Sequence, residues 1–241
     1  MKDRPPQAPR CWLDEDLCTG AVSLAASERK HLQNVRRVRS GDEVCVLNGR
    51  GQLGVGRWTD RQEIEIDQVL EVPPQIPALH LYLGALKQSA WEEVLRHATE
   101  LGVRRILRVD CTHAVSKLEG KEEKKIKRWK ELLREACKQS ANPWCPELGL
   151  FSSVAEALRD PQLPEVQVLA QLGGDVETMG QLLQDGLASA YGIWIGPEGD
   201  FTSEEMAAIR NSGARPVSLG PQVLRAETAA LSLLSRLRLH R

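Results

Sequence analysis

From Leu79 to the C-terminus, apolar strands alternate with amphipathic helices, and no other feature restricts the fold of this chain as much. Strands joined through crossover helices assemble into a mostly parallel sheet, which must be covered by helices on both faces. Strands are predicted over residues 79–85, 103–109, 166–172 and 191–195, and helices near 121–140, 177–189, 203–211 and 225–240. After the first strand, Trp91, Val94, Leu95, Ala98 and Leu101 recur at helical spacing, and Gly102 stops that helix.

Upstream the period changes. Val44 and Val46, Leu53 and Val55, and Ile64 and Ile66 alternate with period two, and Asn48-Gly49-Arg50-Gly51 supplies a turn between the first two runs. Short strands with tight turns cannot bury a face alone, so residues 1–73 are read as a small β-barrel-like domain. Pro73, Pro74 and Pro77 form a stiff linker, which leaves residues 74–241 as the α/β domain.

Composition excludes several classes. Six cysteines, at 11, 18, 45, 111, 137 and 145, form no CxxC pair and no zinc spacing, so no metal is expected. The start MKDRPPQAPR lacks the apolar stretch of a signal peptide, and no apolar run reaches membrane-spanning length, so a reducing, cytoplasmic compartment is expected. A net charge of −1 argues against indiscriminate coating of nucleic acid. Any RNA contact must be local, and basic residues concentrate at Arg29, Lys30, Arg36, Arg37 and Arg39 and between Lys117 and Lys138.

Two segments carry chemistry. The strand ending at Ile195 runs into Gly196-Pro197-Glu198-Gly199-Asp200-Phe201, and Thr202-Ser203-Glu204-Glu205 is a capping box that opens the next helix. Strand, glycine loop and helix in that order place a loop where α/β sheets bind ligands, with backbone groups free to approach closely. The spacing is neither GxGxxG nor a phosphate loop ending in GKT or GKS, so dinucleotides and nucleoside triphosphates are disfavoured. Alone, the segment fits a ligand-free turn equally well. The second segment, Val217 through Ala229, reads as a short strand, a loop and a helix from about Arg225, with Ala229, Ala230, Leu233, Leu234 and Leu237 in an apolar stripe.

Together, IGPEG at 195–199 and LGPQVLRAETA at 219–229 resemble the double signature of the SPOUT superfamily, and within it the RsmE family of small-subunit ribosomal RNA (uracil-N3)-methyltransferases. His31-Leu32 with Asn34-Val35, Gly41-Asp42, Lys87, Thr99 to Val103, Arg128-Trp129, Glu135-Ala136, Gln139-Ser140 and Pro146 agree with that family, so the likeness spans nearly the whole chain. The resemblance implies a PUA-like β-barrel followed by a trefoil-knotted α/β methyltransferase domain that works as a homodimer. Its substrate would be small-subunit ribosomal RNA or the assembled 30S-type subunit. S-adenosyl-L-methionine would be held by backbone groups of the two loops and of a third loop at 170–173. Carried over residue by residue, the cofactor contacts are Leu172, Gly196, Gly199, Leu219, Gly220 and Leu224, with Thr228 near the pocket.

No metal is required for transfer from a sulfonium. Arg225 is expected to contact the uracil or its phosphate, since a guanidinium offers fixed donors. Glu198 either orients or accepts a proton, or braces its loop. Arg36 and Arg37 at the barrel edge, and Lys124, Arg128, Glu135 and Gln139 on the helix near 121–140, are the expected RNA contacts, and that helix places Ile126, Trp129, Leu133 and Ala136 on one apolar face. The chain departs from the family at His113 and Asn142, where arginines are usual. Two other readings stay open: a related knotted methyltransferase acting on a ribose 2'-hydroxyl or another RNA, and a non-catalytic RNA-binding relative.

Overall fold

The computed structural model describes residues 8–114, 120, 122–184 and 186–239, so the basic positions Lys117 and Lys121 lie outside the described residues. Contacts divide the chain into two compact units, Met1–Pro74 with Leu133–Cys145, and Gln75–Leu132 with Pro146–Arg241.

The first unit holds β1 (Arg10–Trp12), β2 (Gly20–Val22), α1 (Ala26–Lys30) with a π-helical turn at His31–Val35, β3 (Glu43–Leu47), β4 (Gln52–Trp58) and β5 (Ile64–Glu71). Its five-stranded sheet has the order β1-β3-β4-β5-β2, with β3, β4 and β5 antiparallel and β1 parallel to β3. The alternation read from the sequence is real but covers only half of the burial. Val44 and Val46 pack with Leu32, Trp58, Ile64 and Ile66, while Leu47 packs on the other face with Trp12, Leu53 and Cys137. Residues 133–145 therefore belong with the N-terminal strands because they cover a second apolar face.

Ion pairs reinforce that packing. Lys138, the end of the basic stretch noted in the sequence, is buried, and its Nζ lies 2.8 Å from both Glu28 and Glu135. Burial works against its charge, but the two carboxylates outweigh that cost and raise its pKa. Glu28 also accepts a hydrogen bond from the Trp12 backbone N–H.

The second unit contains β6 (Ala78–Gly84), α2 (Gln88–Glu100), β7 (Arg105–Val109), the first turns of α3 (Glu122–Ser140), β8 (Glu147–Phe151), α4 (Val154–Ala157) and β9 (Gln167–Ala170). It continues through β10 (Glu177–Thr178), α5 (Met179–Leu182), β11 (Ala190–Ile195), α6 (Ser203–Asn211), β12 (Arg215–Ser218) and α7 (Ala226–Leu239). All seven strands are parallel, in the order β10-β12-β9-β11-β6-β7-β8.

Side chains alternate across this sheet as pleating requires. Tyr82, Leu107, Leu169 and Trp194 share a core with Val154 and Ala157 of α4 and Ile209 of α6. The opposite face of β6 and β11 meets α7, against which α2 packs. Tyr82 and Trp194 sit on neighbouring strands in register and stack with ring centroids 4.5 Å apart.

Two expectations are corrected. The helix expected over 177–189 is instead a two-residue strand and one helical turn, closed at Leu183. Glu177 is drawn into strand pairing with β12 and bonds the Arg215 guanidinium, while Gly180 and a left-handed Gly186 deny the segment a longer helix. The strand expected to reach Leu172 stops at Ala170, which frees Gln171 and Leu172 as loop residues. Strand β8 was not foreseen: its sequence, ELGLF, carries a glycine at its centre and forms a half-exposed edge.

Candidate active site

Four adjacent strands, β12, β9, β11 and β6, end side by side, and a cleft of about 560 Å³ lies over their carboxyl ends. Ala170 to Leu172 supply the wall after β9, Ile195 to Glu198 and Asp200 the wall after β11, and Leu219, Gly220 and Gln222 to Glu227 the wall after β12. Lys87, Ser89 and Ala90 close it from the start of α2. That volume lies within the ordinary range for a small-molecule site.

The close approach of these walls depends on glycine. In the parallel register Ile195 sits beside Leu83, so Gly196-Pro197 runs directly over Gly84. A Cβ on Gly84 would stand 2.5 Å from both the N and Cδ of Pro197, so only glycine lets the loop settle there. Glu198 then reaches back, and its Oε1 accepts a hydrogen bond at 3.1 Å from the backbone N–H of Lys87, the residue that precedes α2. A carboxylate at that position meets an unpaired donor and the positive end of the helix dipole.

The loop after β11 is pinned from its far side as well. Thr202 and Glu205 form the expected capping box of α6, and Glu205 Oε1 also accepts hydrogen bonds from the Thr112 N–H and hydroxyl, at 2.9 and 3.0 Å. Cys111, next to that threonine, is no thiolate nucleophile, because burial first and Glu205 second push its pKa up to about 12.

Of the residues expected from sequence, Leu172, Gly196, Leu219, Gly220, Leu224, Arg225 and Glu198 line the cleft together. Gly199 and Thr228 are exposed residues just outside that lining. Arg225 is exposed, and its guanidinium makes no hydrogen bond or ion pair among the described residues.

The expected RNA contacts do not all stand free. Arg36 and Arg37 are exposed in the first unit, with Arg37 at a left-handed φ of 54°, and Lys124 is exposed on α3. Arg128 grips Glu92 of α2 with two hydrogen bonds of 2.7 and 2.8 Å, and Glu135 is paired with Lys138. Gln139 is exposed, and its backbone carbonyl accepts from Arg10. Sequence reading missed Ser89, Ala90, Asp200, Gln222, Val223 and Glu227 as cleft residues, while Gln171 falls in the third loop expected at 170–173. Ser89 and Ala90 reach it only through the pairing of β6 with β11, which no local pattern encodes.

A parallel sheet with a cleft walled by three loops, in a chain that also carries a small β-sheet unit, is the plan of an RNA methyltransferase. The family model of an RNA methyltransferase domain matches residues 73–238, and that of an RNA methyltransferase PUA domain matches residues 24–67. Ribosomal RNA small subunit methyltransferase E of Aquifex aeolicus is 30% identical over 88% of this chain and 91% of its own length. The enzyme of that name from Neisseria gonorrhoeae, solved with S-adenosyl methionine, superposes with a TM-score of 0.85 at 26% identity, covering 96% of this chain and 97% of the other. A putative methyltransferase of Legionella pneumophila, solved with the same cofactor, also gives 0.85 at 26% identity over 97% of this chain and 98% of that one. The chain belongs to the ribosomal RNA small subunit methyltransferase E family.

Proposed function

We propose that the chain transfers a methyl group from S-adenosyl-L-methionine to N3 of a uridine in small-subunit ribosomal RNA, acting in the cytoplasm as a homodimer. The observation that carries this reading is the cleft itself, where the loops after β9, β11 and β12 converge. S-adenosyl-L-methionine supplies an already activated methyl group, so the protein has three tasks: to position the base, stabilise charge on its oxygens, and remove a proton.

Leu172, Gly196, Leu219, Gly220 and Leu224 are assigned to the cofactor, with Gly199 shaping its loop and Thr228 at the edge. Arg225, in the cleft and without a protein partner among the described residues, takes the uracil oxygens or the adjoining phosphate. Glu198 braces the loop through the Lys87 N–H. Residues 1–73 are assigned to RNA binding, with Arg36, Arg37 and Lys124 as direct contacts. Arg128, Glu135 and Gln139 serve in support, because Glu92, Lys138 and Arg10 already engage them. No described helix is long and apolar enough to cross a membrane.

Incubation with unmodified small-subunit ribosomal RNA and labelled cofactor, followed by digestion to nucleosides, tests the reading. The expected product is 3-methyluridine. A 2'-O-methylated nucleoside would overturn the N3 assignment, and failure to bind the cofactor in calorimetry would leave only an RNA-binding protein.

A further inference from the structure

S-adenosyl-L-methionine and S-adenosyl-L-homocysteine, the form left once the methyl group is gone, differ by that group and by one positive charge, the sulfonium. Their adenosine, ammonium and carboxylate groups are identical. A site that holds the donor and lets go of the spent form must sense either the methyl group or the charge. A single methyl group offers little contact, whereas a charge acts over several ångströms, most strongly where water is partly excluded.

The described lining of the cleft carries Lys87, Glu198, Asp200, Arg225 and Glu227, so carboxylates outnumber cations there. Lys87, Glu198, Asp200 and Arg225 are exposed, and Glu227 alone among them is half-buried. Their engagements also differ. Glu198 Oε1 accepts from the Lys87 N–H and Asp200 Oδ1 accepts from the Phe201 N–H at 2.8 Å, whereas Glu227 makes no hydrogen bond or ion pair among the described residues. Glu227 is the second residue of α7, and Ala226 and Ala230 on either side of it along the helix are buried, so packing sets its place on the wall. The dipole of α7 favours an acid in the first turn, which accounts for the sign of the charge. It does not account for a carboxylate set into a cleft wall, where the partial loss of water is a cost that a cation from the ligand would offset.

We infer that Glu227 supplies the counter-charge for the sulfonium and so makes the cleft prefer the charged donor to its spent form, an inference that rests on the cofactor assignment above but not on the N3 assignment. Arg225, two residues away, is left to the RNA, so the two charges at the start of α7 have separate partners. Once the sulfur is a neutral thioether, the Glu227 carboxylate is again without a counter-ion, and fresh donor displaces the spent form.

The test is calorimetric titration of the full chain, without RNA, with S-adenosyl-L-methionine and separately with S-adenosyl-L-homocysteine, and its readout is the ratio of the two affinities. Glu227→Gln keeps the shape of the side chain and loses the charge. It should weaken donor binding by about tenfold and leave binding of the spent form within about twofold, so that the ratio falls by about tenfold. Glu227→Asp, which keeps the charge, should hold most of the wild-type ratio. Glu198→Gln and Asp200→Asn, whose carboxylates are exposed and already bound to backbone N–H groups, should move the ratio by no more than about twofold. Should the glutamine variant not fold, Glu227→Ala is read by the same ratio, with the spent form as the control for an intact cleft. An unchanged ratio in the uncharged variant overturns the inference, as does an equal loss of both ligands, which would leave Glu227 as a helix-capping charge. So does a larger shift in Asp200→Asn than in Glu227→Gln. A wild-type chain that binds neither compound overturns the cofactor assignment and this inference with it, whereas wild-type binding of both beside an unaffected variant overturns the inference alone.

Discussion

The two edges of the parallel sheet are built in opposite ways. At the amino edge, Arg105 and Glu147 open β7 and β8, and Arg105, Asp160 and Tyr82 are buried and joined by hydrogen bonds. Asp160, with only 2% of its side chain exposed, accepts from the Tyr82 hydroxyl at 2.7 Å, from Arg105 at 2.6 Å and from the Gln162 N–H at 3.0 Å. Burial opposes the Asp160 charge, but those three donors outweigh it and hold the carboxyl below its ordinary range. At the carboxyl edge, Arg225 has no protein partner among the described residues, and Leu172 and Val223 are 54% and 80% exposed. At one edge a buried carboxylate is held by three donors of the protein, and at the other an arginine is left for a ligand to engage. Stability and function are thus separated across a sheet only a few residues tall, the general habit of open α/β folds, whose ligands gather at the carboxyl ends of the strands.

That separation can be attacked directly, beginning with the amino edge. Asp160→Ala leaves Arg105 and the Tyr82 hydroxyl without their shared acceptor and should cost about 3–5 kcal/mol in denaturant unfolding, with cofactor affinity of the folded fraction unchanged. Acid should act on the same edge. His80 is held below its ordinary pKa by burial and then by Arg105, so its share of stability is present above about pH 6.5 and drains as pH falls below that value. The depressed pKa of Asp160 gives a second loss, complete above about pH 3.9 in its stabilising effect and lost as pH falls through the folded-state value. Unfolding free energies measured across that range should fall in these two steps.

At the carboxyl edge, Arg225→Ala should reduce turnover by about 10²-fold, equivalent to about 2.7 kcal/mol, with little change in cofactor affinity or melting temperature. Equal losses of turnover and affinity would move Arg225 to a structural role. Gly84→Ala should blur the comparison, because its Cβ would push Pro197 out of place. Stability should drop by about 1–3 kcal/mol and calorimetric cofactor affinity should fall with it. The smallest effect is expected from Glu198→Gln, which keeps an acceptor for the Lys87 N–H but loses the charge at the helix N-terminus, a cost of about 0.3–1 kcal/mol in thermal unfolding. A collapse of turnover there with stability intact would make Glu198 the proton acceptor.

The first unit teaches a related lesson about reading patterns. Its β3 to β5 meander and the Asn48-Gly49 turn were legible because side-chain period and turn residues are local properties. Its second buried face was not, since Leu47 and Trp12 are covered by Cys137 and its neighbours, which lie far along the chain. Lys138 belonged to the basic stretch of its helix and Arg128 was an expected RNA contact, yet each is bonded to a carboxylate from a distant element.

The sequence by itself determined the alternation that makes a parallel sheet, the capping box at Thr202, the extent of α7 and the two loops at 196–200 and 219–225, all of which depend on residues within a few positions of one another. Only the tertiary structure decided that Lys87, Ser89 and Ala90 belong to the cleft, that Glu198 closes onto α2, and that His113 is oriented by the glycine loop. Those relations come from strand order and register, which place β6 and β9 on either side of β11. Strand order is fixed by the burial of whole faces over long chain separations, and no short window of residues contains it.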